Sequence, residues 1–180
     1  MLDAPIPVIG FAAYSGTGKT TLLKQLIPLL RGQGLRPGVI KHAHHDVEFD
    51  VPGKDSYVLR KAGAGQVLLA SANRWALMGE EPGSQEPELP VLLKRMDLTE
   101  LDLVLVEGFR HIPFPKIELH RPSLGKPLLC EEDDSILAVA CDERPAVPVS
   151  LPLFDLKDIQ AVASFIEDFC GRFNAAHSLG

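Results

Sequence analysis

Short apolar runs alternate with amphipathic segments along most of the chain, and the two patterns predict different elements. Apolar stretches of strand length lie at residues 6–12, 35–41, 103–106, 116–119 and 136–140. The stretch at 103–106 reads Leu-Val-Leu-Val without polar alternation, which is typical of a central parallel strand buried on both faces. Strands that alternate with helices predict an α/β fold of three layers around a mostly parallel sheet.

Two helices have the clearest periodicity. The first follows the strand at 6–12, and its apolar face consists of Leu22, Leu23, Leu26, Ile27, Leu29 and Leu30. Pro28 lies inside this helix and has no amide proton, so we expect a kink or an early end there. The second helix covers residues 159–173, with Asp155 as its expected N-cap. The first helix also predicts a right-handed crossover that joins the strands at 6–12 and 35–41 as parallel neighbours.

The middle of the chain predicts smaller elements. A helix is expected at residues 55–62, followed by strands at 66–70 and 74–78 with a turn at 71–73. Residues 80–90 contain four Glu, three Pro and a Gly, which indicates a surface loop, and a helix is expected at 91–96.

Length, composition and charge narrow the class of protein. The chain has 180 residues, of which 46% are hydrophobic and 23% charged, so we expect one domain over residues 1–180. A net charge of -6 has the wrong sign for a nucleic-acid binder, and no apolar run reaches the roughly 18 residues that span a bilayer. We therefore expect a cytoplasmic protein with neither nucleic acid nor membrane as partner. The three cysteines, Cys130, Cys141 and Cys170, are predicted to be buried or inert thiols.

The strongest chemical motif directly follows the first predicted strand. Residues 13–20 match the Walker A pattern G-x-x-x-x-G-K-[ST] except at Ala13. Gly16 and Gly18 allow positive φ angles, so successive amides can form a concave nest for phosphate oxygens at the start of a helix. Lys19 can reach the β and γ phosphates, and the Thr20 hydroxyl can bind Mg²⁺. The predicted nucleotide-binding residues are Ser15, Gly16, Thr17, Gly18, Lys19, Thr20 and Thr21.

An acidic residue is expected near this loop, at the carboxyl end of a neighbouring parallel strand. Glu107 directly follows the buried stretch at 103–106, whereas Asp102 precedes it. Five residues of strand separate the two carboxylates by roughly 16 Å, so only one of them can approach the metal. We predict that Glu107 holds Mg²⁺ with Thr20 or orients a water, that Glu107 and Lys19 are the catalytic residues, and that Asp102 caps the start of the strand.

A polar segment follows the predicted strand at 35–41. Residues 41–46 read Lys-His-Ala-His-His-Asp, and three interpretations stay open: contacts to a nucleotide or substrate, a transition-metal site, or a solvated loop. Lys54 directly precedes the predicted helix at 55–62, and Arg60 lies within it. These two residues could face a second anionic ligand or form a solvated basic face.

Taken together, these motifs resemble the molybdopterin-guanine dinucleotide biosynthesis protein B family. The resemblance spans residues 8–142 and is carried by segments 12–23, 40–46, 52–57, 60–63, 74–78 and 103–109. It is looser after Phe109, so residues 111–122 and the C-terminal helix receive no role from it.

The resemblance implies a P-loop NTPase fold and a GTP-binding protein that uses Mg²⁺ and hydrolyses GTP weakly. It also implies a homodimer that assists the guanylyltransferase which joins GMP to molybdopterin, and it makes molybdopterin itself a candidate ligand. Gly16, Gly18, Lys19 and Thr20 would hold phosphates and Mg²⁺, with Glu107 in the Walker B position. Candidates for the second half of the site are His44, Asp46, Lys54 and Asp55.

Two other functions stay open from the residues alone. A small-molecule kinase would use the same P-loop, and a metallochaperone GTPase would bind metal through the histidines of residues 42–45. The Asn-Lys-x-Asp signature for guanine is absent, so base preference does not follow from the sequence. Candidates for a catalytic arginine are Arg60, Arg74 and Arg110, without ranking.

Overall fold

The computed structural model describes residues 2–43, 47–80 and 86–178. The chain divides into two compact units, one of residues 1–42 and 87–180 and the other of residues 43–86. The single domain expected over residues 1–180 remains a prediction. No helix within the described ranges has the length and apolar character that crossing a membrane requires.

Eight strands and four α-helices form the described part of the chain. In chain order they are β1 (Val8–Ala12), α1 (Lys19–Gly32), β2 (Pro37–Lys41), α2 (Asp55–Lys61), β3 (Gln66–Ser71), β4 (Arg74–Gly79), α3 (Leu89–Arg95), β5 (Leu103–Glu107), β6 (Lys116–His120), β7 (Ile136–Cys141), β8 (Leu153–Asp155) and α4 (Ile159–His177). Two short 3₁₀ turns, Pro122–Leu124 and Leu129–Glu131, lie between β6 and β7.

The first unit is built on a six-stranded sheet in the order β2-β5-β1-β6-β7-β8. All five pairings are parallel, so the carboxyl ends of the six strands meet at one edge of the sheet. The expectation that the strands at 6–12 and 35–41 are neighbours was wrong, because β5 lies between β1 and β2. A strand some 60 residues further along the chain fills that place, and no local pattern in either strand records it.

Helices cover both faces of this sheet and complete the predicted three layers. On one face, Leu103 and Leu105 share a buried cluster with apolar residues of α1 and α4. On the other face, Val104 and Val106 pack with residues of α3. The β5 strand is therefore buried on both faces, as its uninterrupted apolar run predicted.

Helix termini differ from the expectation at two places. A kink or an early end was expected at Pro28, and of these the early end was wrong, because α1 continues through Pro28 to Gly32. Asp155 is not the N-cap of α4, because it ends the short strand β8 and its Oδ1 accepts a hydrogen bond from the Lys157 amide. The N-cap is Asp158, whose side chain accepts a hydrogen bond from the Ala161 amide at 3.0 Å.

The second unit contains α2 and the predicted hairpin of β3 and β4, which pair antiparallel. Leu68 pairs with Leu77 and Ala70 pairs with Trp75, so these side chains share one face of the hairpin. Leu68, Trp75 and Leu77 are 63%, 66% and 49% exposed. We call this the hairpin apolar face.

A glycine at the centre of the sheet generates a stability prediction. Gly10 on β1 pairs with Lys116, and a Cβ atom at Gly10 would lie 2.7 Å from the Phe114 ring and 2.8 Å from Lys116 Cγ. We expect Gly10→Ala to lower the free energy of unfolding by about 1–3 kcal/mol through overpacking, as measured by urea denaturation.

Gly171 provides the matched control, because it lies inside α4 and an added Cβ would meet no described atom within 4 Å. Gly171→Ala should raise the free energy of unfolding by about 0.5–1 kcal/mol. A Gly10→Ala protein as stable as the parent would contradict the packing argument.

Candidate functional site

The Walker-type loop connects the central strand β1 to α1. Gly16 and Gly18 have φ angles of +82° and +102°, which are readily adopted only by glycine. Gly18 is the N-cap residue of α1 and has no side chain to accept from the first-turn amides. Those amides therefore remain available as donors, and the positive end of the helix dipole adds to the attraction for an anion.

The loop is held in shape by its own side chains. Thr17 is buried and donates from Oγ1 to the Tyr14 carbonyl at 2.7 Å. Lys19 folds back over the loop and donates from Nζ to the Ala13 carbonyl at 3.2 Å. Ala13 is itself buried, so the small residue at the first position of the motif fits the space at the entrance of the loop.

Glu107 lies beside this loop, as the strand argument predicted. It pairs with Phe11 of β1 and with Lys41 of β2. Its Oε1 atom accepts a hydrogen bond from Thr20 Oγ1 at 3.3 Å, and its Oε2 atom lies 3.6 Å from Lys41 Nζ. A hydroxyl and a carboxylate at this separation are hard oxygen donors, so Thr20 and Glu107 fit the ligand preference of Mg²⁺.

Asp102 lies at the opposite edge of the sheet and has a structural role. Its Oδ2 atom accepts hydrogen bonds from the Arg36 amide at 2.7 Å and from Arg36 Nε at 3.0 Å. The side-chain hydrogen bond from Arg36 holds the pKa of Asp102 below its usual range. This carboxylate ties the start of β5 to the chain just before β2, as expected for a strand cap.

The charges around Lys19 favour an anionic ligand. Burial lowers the pKa of Lys19, and the positive charges of Arg110 and Lys41 lower it further, while Glu107 opposes them. Arg110 also stacks its guanidinium over the Tyr14 ring at 5.3 Å. A phosphate near Lys19 would offset this repulsion and favour the protonated amine.

Arg121 is a residue of this site that the sequence did not indicate. Its Nε atom donates to the Thr17 carbonyl at 2.8 Å, and its guanidinium forms an ion pair with Asp142. Arg121 directly follows β6, and it reaches the loop because β6 pairs with β1. The pairing of these two strands has no local signal in the sequence, so the arginine could not have been identified from its neighbours.

The structure leaves several predicted residues untested. Lys54 and Asp55 lie at the start of α2 in the second unit, and His44 and Asp46 lie outside the described residues. Arg74 begins β4, and Arg60 forms ion pairs with Glu48 and Glu80 within the second unit. Ser15 and Thr21 are exposed at the loop and in the first turn of α1. Binding by any of these residues remains a prediction.

His42 extends the pairing between β2 and β5. Its amide donates to the Glu107 carbonyl at 2.8 Å, and its ring stacks on Phe109 with centroids 4.5 Å apart. Gly108 and Phe109 both have positive φ angles, and a Cβ at Gly108 would lie 2.6 Å from His42 Cβ. Within the described ranges, no group of three or more His, Cys, Asp or Glu residues could hold a metal ion.

Comparisons with known proteins place this chain in a family. Residues 8–142 match the family model described as MobB, molybdopterin guanine dinucleotide synthesis protein B. The chain is 51% identical to the molybdopterin-guanine dinucleotide biosynthesis adapter protein of Escherichia coli (strain K12) over 94% of this chain and 96% of that protein. It is 45% identical to the adapter protein of Haemophilus influenzae over 97% and 96% of the two chains.

Solved structures give the same result. A crystal structure of molybdopterin-guanine biosynthesis protein B superposes with a TM-score of 0.70 at 29% identity, covering 90% of this chain and 99% of that one. Bacillus subtilis MobB superposes with a TM-score of 0.71 at 25% identity, covering 90% and 97% of the two chains. The sequence matches and the shared fold together show that this chain belongs to the MobB family of molybdopterin-guanine dinucleotide synthesis proteins.

Proposed function

We propose that this chain is a GTP-binding adapter of molybdopterin-guanine dinucleotide biosynthesis that assists the guanylyltransferase joining GMP to molybdopterin. The biosynthetic assignment follows from family membership and from the adapter proteins it resembles. The observation that carries nucleotide binding is the contact between Thr20 at the start of α1 and Glu107 at the end of β5, beside Lys19.

Each part of the site has a separate task in this proposal. The amides of the Gly16–Gly18 turn and of the first turn of α1 would surround the phosphates, and Lys19 would contact the β and γ phosphates. Thr20 and Glu107 would hold Mg²⁺, which neutralises phosphate charge when bound. Lys19 would exchange its hydrogen bond to the Ala13 carbonyl for one to a phosphate, so its amine would have an acceptor both without and with the nucleotide.

Hydrolysis is expected to be slow. A well-placed arginine accelerates P-loop hydrolysis by about 10³ to 10⁵. Arg121 is already engaged with the Thr17 carbonyl and Asp142, and Arg110 packs over Tyr14. Lys19 and Glu107 then remain as the catalytic candidates. Slow hydrolysis without a catalytic arginine suits an adapter better than an enzyme.

The adapter is proposed to act as a homodimer in the cytoplasm, with molybdopterin as a further candidate ligand. The hairpin apolar face supports self-association, because Leu68, Trp75 and Leu77 expose apolar surface on a two-stranded sheet.

The net charge of -6 supports a role without a nucleic-acid partner.

Calorimetry tests the nucleotide and the partner together. We expect GTP with Mg²⁺ to bind the parent protein more tightly than ATP, and the guanylyltransferase to change the GTP affinity. Lys19→Ala should weaken GTP binding by about 10- to 100-fold or more, because it removes a charged hydrogen bond to phosphate. Unfolding by urea should be nearly unchanged.

Lys24→Ala is the matched control, since Lys24 is an exposed lysine on α1. Equal GTP affinity of the parent and Lys19→Ala proteins would refute the P-loop proposal. A preference for ATP, or no effect of the guanylyltransferase, would refute the assigned nucleotide or the assigned partner respectively.

The magnesium assignment predicts the phenotype of a charge-neutral variant at Glu107. Glu107→Gln keeps the side-chain shape and removes the charge, so GTP should gain less affinity from Mg²⁺ than it does with the parent protein. The expected reduction of this gain is about 10-fold, as measured by titration with and without Mg²⁺. Glu167→Gln on the exposed side of α4 is the control, and an unchanged Mg²⁺ effect in Glu107→Gln would exclude the assignment.

The dimer proposal is tested by a charge on the hairpin apolar face. Leu68→Glu and Leu77→Glu should each shift sedimentation equilibrium from dimer to monomer, because the carboxylate would lose its water on association. Val91→Glu is the matched control, since Val91 is an exposed apolar residue of α3 in the first unit. Dimers of equal strength in all three variants would remove this face from the interface.

A further inference from the structure

We propose that the cleft at the carboxyl ends of β7 and β8 binds the nucleobase, and that Asp142 selects guanine by accepting its N1 and N2 protons. The inference rests on the proposed nucleotide-binding function and adds the part of the site that reads the base. It also supplies a guanine determinant that the absent Asn-Lys-x-Asp signature left without a candidate.

The cleft has a volume of about 320 Å³, within the range of small-ligand sites. It opens where two parallel strands end, which is the edge at which ligands bind in open α/β sheets. Its lining combines an aromatic ring, apolar side chains, carboxylates and one arginine: Cys141, Asp142, Glu143, Arg144, Leu153, Phe154 and Asp155.

The position of the cleft relative to the phosphate loop suits a nucleotide. One strand, β6, separates β1 from β7, so the two strand ends are about 10 Å apart at the usual spacing of parallel strands. A ribose can bridge such a gap between phosphates on the loop and a base in the cleft. Arg121 already spans it, with contacts to the Thr17 carbonyl and to Asp142.

Asp142 is the carboxylate of the cleft that is best prepared to read a base. Its side chain is only 19% exposed, and Arg121 holds its Oδ2 atom in place. Its Oδ1 atom is buried and makes no hydrogen bond with any described residue. By contrast, Glu143 is exposed, and Asp155 already accepts a hydrogen bond from the Lys157 amide.

A fixed carboxylate discriminates between purines by its acceptor-only character. Guanine presents two adjacent donors, N1–H and N2–H₂, and both can point at one carboxylate. Adenine presents an acceptor at N1, which a carboxylate repels. Arg144 lines the same cleft and carries donors that suit the O6 acceptor of guanine.

The test is the change in base preference of Asp142→Asn, measured by calorimetry with GTP and xanthosine triphosphate. An asparagine amide can donate to the O2 carbonyl of xanthine, which the carboxylate repels. We expect the ratio of GTP to xanthosine triphosphate affinity to fall by about 10- to 100-fold. A gain of xanthine affinity cannot arise from a damaged fold or from a general loss of phosphate binding.

Glu143→Gln is the matched control, because it removes the same charge from the same cleft and should leave the ratio unchanged. If GTP binds in a Lys19-dependent way but Asp142→Asn leaves the ratio unchanged, the base site is wrong and the P-loop function stands. If Glu143→Gln changes the ratio and Asp142→Asn does not, the assignment to Asp142 is wrong. If the parent protein binds neither nucleotide, the proposed function itself fails.

Discussion

The parallel pairing of β1 with β5 on one side and β6 on the other determines the geometry of the candidate site. Because parallel strands end at the same edge, this pairing brings the loop after Ala12, the carboxylate of Glu107 and the guanidinium of Arg121 together. The pairing depends on close packing at the centre of the sheet, where Gly10 leaves room for Phe114 and Lys116. The backbone amides of the loop and the side chains around it are thus positioned by the same core contacts that stabilise the fold.

A local concentration of positive groups supports the proposed phosphate site on this acidic chain. The chain has a net charge of -6, yet Lys19, Lys41 and Arg110 all contribute to the potential around the loop. Burial lowers the pKa of Lys19, so the protonated form of this side chain is less stable than that of an exposed lysine. The energetic role proposed for an anionic ligand is to offset this desolvation and repulsion, which concentrates binding at one place on the surface.

Arg121 links the proposed phosphate and base subsites. It contacts the Thr17 carbonyl in the loop and pairs with Asp142 at the adjacent cleft. Under the proposed function, a ligand that contacts Asp142 would therefore also act on the backbone of the proposed phosphate nest. Such a link suits an adapter, since the identity of the bound nucleotide would be transmitted to the loop without requiring rapid hydrolysis.

The sequence by itself determined the elements whose causes are local. The glycine spacing at 16 and 18 predicted the positive φ angles of the loop, and the uninterrupted apolar run before Glu107 predicted a buried strand with an acid at its carboxyl end. Periodicity predicted α1 and α4, although the N-cap of α4 was misassigned because a three-residue strand is too short to leave a pattern.

Only the tertiary structure decided which strands are neighbours. The position of β5 between β1 and β2, and the pairing of β6 with β1, arise from contacts between residues far apart in the chain. Those contacts bring Lys41 to Glu107 and Arg121 to the phosphate loop, and they open the cleft beside Asp142. Local patterns report the propensity and burial of a segment, whereas strand order depends on the packing of the whole sheet. For that reason the sequence could locate the candidate phosphate loop and Glu107 beside it, but not Arg121.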